Sequence, residues 1–122
     1  MACILIVDDS PTEKFAIYSM LKKHGHNCLF ADDGLSGIAI AKEKQPDVIL
    51  MDVVMPSMNG YQATRCLAKD KTTAHIPVVM VSNKAQESDR IWGLRVGASA
   101  YVCKPASENE LVSAVNKLVP AV

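Results

Sequence analysis

Charge of one sign is missing from this chain: its 122 residues carry 13 Lys and Arg against 13 Asp and Glu, a formal net charge of zero. Proteins that grip nucleic acid show a basic surplus, so no nucleic-acid partner is expected. No apolar run approaches the roughly 18 residues that a membrane span requires, and membrane insertion is not expected either. The opening MACILIVDDS is apolar, but it has no charged leader and runs straight into carboxylates, so it reads as a first strand and not as a signal peptide. Cys3, Cys28, Cys66 and Cys103 form no C-x-x-C pair, and no His stands at metal-ligand spacing to them. Three of the four fall in strand-like apolar runs (3–7, 27–31, 99–103), where a free thiol is a small hydrophobe. Without a secretion signal, reduced cysteines and a cytoplasmic location are expected. Internal repeats, low-complexity segments and linkers are also missing, which leaves one domain.

What is present is globular composition, 49% apolar and 21% charged, in a chain long enough for one core. Short β-rich runs at 2–7, 28–31, 48–51, 77–81 and 100–103 alternate with helical patterns. Ser10-Pro11-Thr12-Glu13 opens the first helix, with Ser10 as N-cap and Glu13 closing a capping box. Ala16, Ile17, Met20 and Leu21 form its apolar stripe, and Gly25 stops it. The second helix carries Leu35, Ile38, Ala39 and Ala41 and ends before Pro46. A third spans about 60–70, a weaker fourth about 85–96, and Ser107 to Glu110 form a capping box for the fifth, striped by Leu111, Val112, Val115, Leu118 and Val119. Five strands alternating with five helices imply an α/β fold: a parallel sheet covered on both faces through right-handed crossovers.

In such a sheet the C-terminal strand ends share one edge, the edge at which ligands bind in open α/β folds. Asp8 and Asp9 end the first strand, Asp52 the third, Ser82 the fourth and Lys104 the fifth. Each alone is more often a cap or a solvated charge. Together they are three carboxylates, a hydroxyl and an ammonium at one rim. Three close carboxylates repel one another unless a cation sits among them, and Mg²⁺ suits one or two carboxylates, water and a phosphate. Asp52 beside Lys104 and Ser82 is therefore the candidate to take up a phosphoryl group by in-line attack.

The pieces ILIVDDS (4–10), DVILMDVVMPSMNG (47–60), VVMVS (78–82) and YVCKP (101–105) resemble the response-regulator receiver domain of bacterial two-component signalling. The resemblance covers essentially the whole chain, 1–122, as a single receiver domain with no output domain expected. It implies a flavodoxin-like, doubly wound five-stranded parallel sheet of order 2-1-3-4-5 with five helices. By position it implies Asp52 as phosphoacceptor, and Mg²⁺ held by Asp9, Asp52 and the backbone carbonyl of Val54, with Asp8 acting through water. It further implies Ser82 and Lys104 on the phosphoryl group, a cis Lys104–Pro105 bond, and Tyr101 as an aromatic switch that turns inward with Ser82. As partners it implies a histidine kinase of chemotaxis type and a downstream protein on the face formed by the fourth helix, fifth strand and fifth helix. A monomer or a weak phosphorylation-dependent dimer is expected. The opening segment 4–26, the stretch 51–67 and the single Trp92 are similar to the PilH type, stand-alone receivers of the chemotaxis-like pathway for type IV pili and twitching motility. A receiver of this kind can also act as a phosphate sink for a sister regulator.

The sequence departs from the family pattern beside the acceptor. Ser82 stands where Thr is commoner and Asn83 where a small Ala is frequent, and Val54 and Lys84 flank the phosphoryl position. An apolar Val54 cannot orient an attacking water, so slow loss of the phosphoryl group is expected. The fourth helix, with Gly93 inside it and Ser88 and Asp89 near its start, is expected to be the most mobile or irregular of the five. Met55 and Met58 are expected to be partly exposed, and Arg65, Lys69 and Asp70 to form a solvated face. His24, His26 and His75 read as helix-end and turn residues and not as a metal site. Two other functions fit less well. A small Mg²⁺-dependent aspartyl phosphatase would need an acid two residues after Asp52, where Val54 stands. A flavin module would need a phosphate-cradling loop where Asp8 and Asp9 lie.

Overall fold

A computed structural model describes residues 2–119. Its elements are β1 (Cys3–Val7), α1 (Pro11–Lys23), β2 (Asn27–Ala31), α2 (Gly34–Lys44), β3 (Val48–Asp52), α3 (Gly60–Lys69), β4 (Val78–Ser82), α4 (Glu87–Arg95), β5 (Ala100–Cys103) and α5 (Glu108–Asn116). All strand pairs are parallel and the order is β2-β1-β3-β4-β5. This is the doubly wound, flavodoxin-like arrangement that the family resemblance implied. β3 and β4, in the middle of the sheet, are buried at every residue, while the edge strands β2 and β5 are partly exposed.

The period of two along each strand separates the core into two layers. Ile4, Ile6, Leu50, Val79 and Val81 face α1 and α5, where Ile17, Leu21, Leu111 and Val115 cover them. Leu5, Val7, Ile49 and Met51 face the other side, against Ala41 of α2 and Ala63 and Leu67 of α3. A smaller cluster of Val53, Met80, Val96 and Ala98 underlies α4.

Several local expectations are corrected. α2 does not bury Leu35, which is 63% exposed, and Ala39 also faces outward. Its buried side is Gly34, Gly37 and Ala41, because the helix lies so close to β1 that a Cβ on Gly37 would fall 2.8 Å from Val7. Ala16 of α1 is likewise exposed. The Ser10 hydroxyl accepts from the Glu13 N–H at 3.3 Å, but Glu13 does not close a box: its carboxylate goes to Lys104, and the Ser10 N–H donates to Asp8 Oδ1 at 2.8 Å. Cys103 is exposed, as is Cys66, so not every strand thiol is a core hydrophobe; all four cysteines are free. Met55 is buried, and Met58 lies half-buried over Gly34. α5 is capped as expected by Ser107, which accepts from the Glu110 N–H at 3.1 Å. It ends at Asn116, and Leu118 and Val119 pack on the core from beyond its last turn. Among the described residues no helix is long and apolar enough to cross a membrane.

Gly60 matters most for the site. A Cβ there would stand 2.1 Å from the carbonyl oxygen of Asp52 and 2.8 Å from Val53 Cα. Only glycine allows the first turn of α3 to close against the end of β3, where its N–H donates to the Val53 carbonyl at 2.8 Å.

Candidate functional site

The parallel register brings the reactive side chains to one edge. Asp52 and Ser82 are the last residues of β3 and β4, Asp8 directly follows β1, and Lys104 directly follows β5. The ends of β4 and β5 are tied by the Lys104 N–H, which donates to the Ser82 carbonyl at 2.8 Å. One carboxylate oxygen from each of Asp8, Asp9 and Asp52 lies within 4.8 Å of the others. Asp8 and Asp52 are buried and Asp9 is exposed.

Lys104 sits at the centre of this charge. Its ammonium donates to Asp8 Oδ2 and Asp52 Oδ1, both at 3.2 Å, and pairs with Glu13 Oε1 at 3.0 Å. Glu13 is a member of the site that sequence reasoning missed, because its position in α1 suggested a cap. The Lys104–Pro105 bond is cis. Beside Lys104 a cavity of about 260 Å³ opens between α1 and the start of α5, walled by Ile17, Met20, Pro105 and Leu111.

Burial pushes the Asp52 carboxyl above the usual carboxylate range. The Lys104 ammonium pulls it back, while the charges of Asp8 and Glu13 act with burial. Burial works against the Lys104 ammonium too, but the hydrogen bond to Glu13 and the charges of Asp52 and Asp8 outweigh it and leave its pKa raised. Three carboxylates thus meet one ammonium, and Asp9 adds a fourth negative group beside Asp8 and Asp52. That surplus of hard, negative oxygen suits a divalent cation, and the exposed Asp9 leaves a side open to water. The donor set fits Mg²⁺.

The other predicted residues flank this centre. Val54 is 60% exposed in the loop after β3, and its carbonyl takes no backbone hydrogen bond among the described residues. Ser82 is fully buried, and its Oγ accepts from the Lys84 N–H at 3.1 Å. Among the described residues no hydrogen bond joins Tyr101 to Ser82. Its hydroxyl donates to the Lys84 carbonyl at 2.6 Å, so the exposed Lys84 offers its N–H to Ser82 and its C=O to Tyr101. The backbone of Lys84 is the link between the two, which the sequence alone did not disclose. His24, His26 and His75 lie outside the carboxylate cluster: His24 Nε2 is 3.1 Å from Glu108, and His26 Nε2 is 3.0 Å from Asn116 Oδ1.

This fold, with an acidic cluster and a lysine at the carboxyl edge of its sheet, defines a class that comparison with known proteins identifies. The model of the response regulator receiver domain matches residues 4–116, and the chain belongs to that family. Among individual relatives, it is 52% identical to Protein PilH of Pseudomonas aeruginosa over 119 residues, 98% of both chains. The chemotaxis protein CheY4 of Vibrio cholerae superposes with a TM-score of 0.90 at 27% identity, covering 98% of this chain and 99% of that one. The receiver domain of the sensor histidine kinase PA1611 of P. aeruginosa superposes with a TM-score of 0.88 at 29% identity over 96% of both chains; that structure holds a magnesium ion in its active site cleft.

Proposed function

We propose that this receiver accepts a phosphoryl group on Asp52 from a chemotaxis-type histidine kinase in the cytoplasm, as a stand-alone regulator in control of type IV pilus twitching motility. The observation that carries the chemistry is the ammonium of Lys104 held 3.2 Å from Asp52 Oδ1, inside a cluster of three further carboxylates. The near full-length likeness to PilH supports the pathway.

Asp52 is the nucleophile: one carboxylate oxygen attacks phosphorus in line, a P–O bond forms, and the P–N bond to the donor imidazole breaks. Asp9 and Asp52, with the Val54 carbonyl and with Asp8 acting through water, would hold Mg²⁺, which when bound would neutralise the carboxylates and the phosphoryl oxygens. Lys104 exchanges its contacts to Asp8 and Asp52 for a phosphoryl oxygen. Ser82 already accepts from the Lys84 N–H, so its own O–H is available to donate to another phosphoryl oxygen. Drawing Ser82 toward phosphate pulls on Lys84, whose carbonyl anchors the Tyr101 hydroxyl. The aromatic ring and α4, which packs on it through Gly93, then shift together. The α4–β5–α5 face changes its affinity for a downstream protein by that route.

Incubation with acetyl phosphate, with and without Mg²⁺, followed by intact mass, tests this reading. One phosphoryl group is expected per chain, only with Mg²⁺ and not in Asp52→Asn. A modification independent of Mg²⁺, or one retained in Asp52→Asn, would overturn it.

A further inference from the structure

The charges of this neutral chain are unevenly spread. Acids gather at the carboxyl edge of the sheet, whereas residues 53–69 and 90–103 contain no Asp or Glu at all. Those stretches build α3 and most of α4, and the C-terminal ends of these two helices line an open groove of about 440 Å³. Arg65 and Lys69, one turn apart, come from α3; Trp92 and Arg95, also one turn apart, come from α4. The groove closes at Gly97, whose φ of +121° and close approach to Ala68, 2.8 Å from a would-be Cβ, bring the two helices' ends together.

None of the three cations takes part in an ion pair among the described residues. The carboxylate next in the chain, Asp70, is already occupied by Lys42 at 3.1 Å and by Thr72. Three unneutralised cations across one groove repel each other and gain from an incoming anion. Trp92, the only tryptophan of the chain, is left 46% exposed among them. Tryptophan and arginine are the side chains that dominate binding hot spots, and a guanidinium pairs with a carboxylate through two parallel hydrogen bonds. Small ligands favour enclosed pockets with buried polar groups to orient them; this groove is open and has neither, which favours a length of polypeptide.

We propose that the α3–α4 groove binds an acidic peptide segment of a partner protein, its carboxylates on Arg65, Lys69 and Arg95 and an apolar side chain against Trp92. The groove lies on the α3 side of α4, away from the α4–β5–α5 face, and its occupancy does not require phosphorylation of Asp52.

Random short peptides displayed on phage, selected on the full chain and counter-selected on the Arg65→Glu/Arg95→Glu variant, provide the test. The selected sequences are expected to be rich in Asp and Glu around an aromatic or aliphatic residue. A synthetic copy is expected to give a saturable change in Trp92 fluorescence that added salt weakens. Its affinity should fall by about tenfold or more in the double variant and remain unchanged in Asp52→Asn. Should charge reversal disturb folding, as judged by circular dichroism, the Arg65→Gln/Arg95→Gln variant takes its place with a smaller loss in the same direction. Selected peptides without acidic enrichment, acidic peptides whose binding survives the substitutions, or saturation of the Trp92 signal by a nucleoside triphosphate but by no peptide would each overturn the assignment.

Discussion

At the scale of single residues, Val54 and Lys84 separate this site from a generic carboxylate cluster. Both lie at the exposed mouth beside Asp52 and Ser82. An apolar Val54 offers no hydrogen bond to orient a water for attack on phosphorus, so hydrolysis of the acyl phosphate is expected to be slow. Val54→Asn should speed the loss of the phosphoryl group by roughly tenfold, less than the ~10²–10⁴-fold of a full general acid or base because an amide only orients the water and takes no proton. Decay of the phosphorylated mass after removal of acetyl phosphate measures this, and a slower decay in the variant would contradict it. Most members of the site were legible in the sequence because each ends a strand, and a parallel sheet sends all strand ends to one edge. Glu13 was not. It fits a helix cap by local spacing, and only the approach of α1 to the segment after β5 shows that its carboxylate serves Lys104.

At the scale of elements, α4 stands apart. Gly93 is its only buried residue, while Ile91, Trp92 and Leu94 are exposed. Its N-cap is Gln86, and the first turn is held by Asp89 accepting from the Gln86 N–H at 3.3 Å and by Tyr61 donating to the Asp89 carbonyl at 3.2 Å. So little burial predicts the fastest amide exchange of the five helices; comparable protection across all five would count against it. Helix propensity makes Gly93→Ala look stabilising by about 1 kcal/mol. The packing reverses that sign. The added methyl would stand 2.8 Å from Met80 Sδ and 2.9 Å from Tyr101 Cδ2, and overpacking typically costs about 1–3 kcal/mol. A lower urea midpoint for Gly93→Ala than for wild type is the expected outcome. The glycine that weakens α4 on paper is what lets it sit on Tyr101.

At the scale of the whole molecule, stability in acid depends on where carboxylates are tied between elements. Hydrogen bonds from the Thr72 hydroxyl and N–H, with the Lys42 ammonium, hold the Asp70 carboxyl down at about 2, from an ordinary 3.8. A depressed carboxylate stabilises the fold fully above its unfolded value and loses that contribution as pH falls through the folded one. Asp70→Asn is therefore expected to lower the melting temperature near neutral pH, with the gap to wild type closing between about pH 4 and pH 2. A gap that stays constant over that window would place the effect of Asp70 in packing and not in charge. The same contact, Lys42 of α2 to Asp70 after α3, joins two crossovers that the sequence describes separately.

Periodicity and end-residues are local properties, and from them follow the βα alternation, the doubly covered sheet, the capped α5 and the gathering of Asp8, Asp9, Asp52, Ser82 and Lys104 at one edge. What depends on how far apart two elements lie is not written in any single stretch. The distance of α2 from β1 decided that Gly37 and not Leu35 faces the core. The placement of the turn after β4 decided that the Lys84 backbone joins Ser82 to Tyr101. The meeting of α3 and α4 turned Arg65 and Lys69, an ordinary solvated face in sequence, into one wall of a cationic groove. Side chains from separate elements become partners only when packing of the whole core sets their separation, and no hydrophobic period encodes that distance.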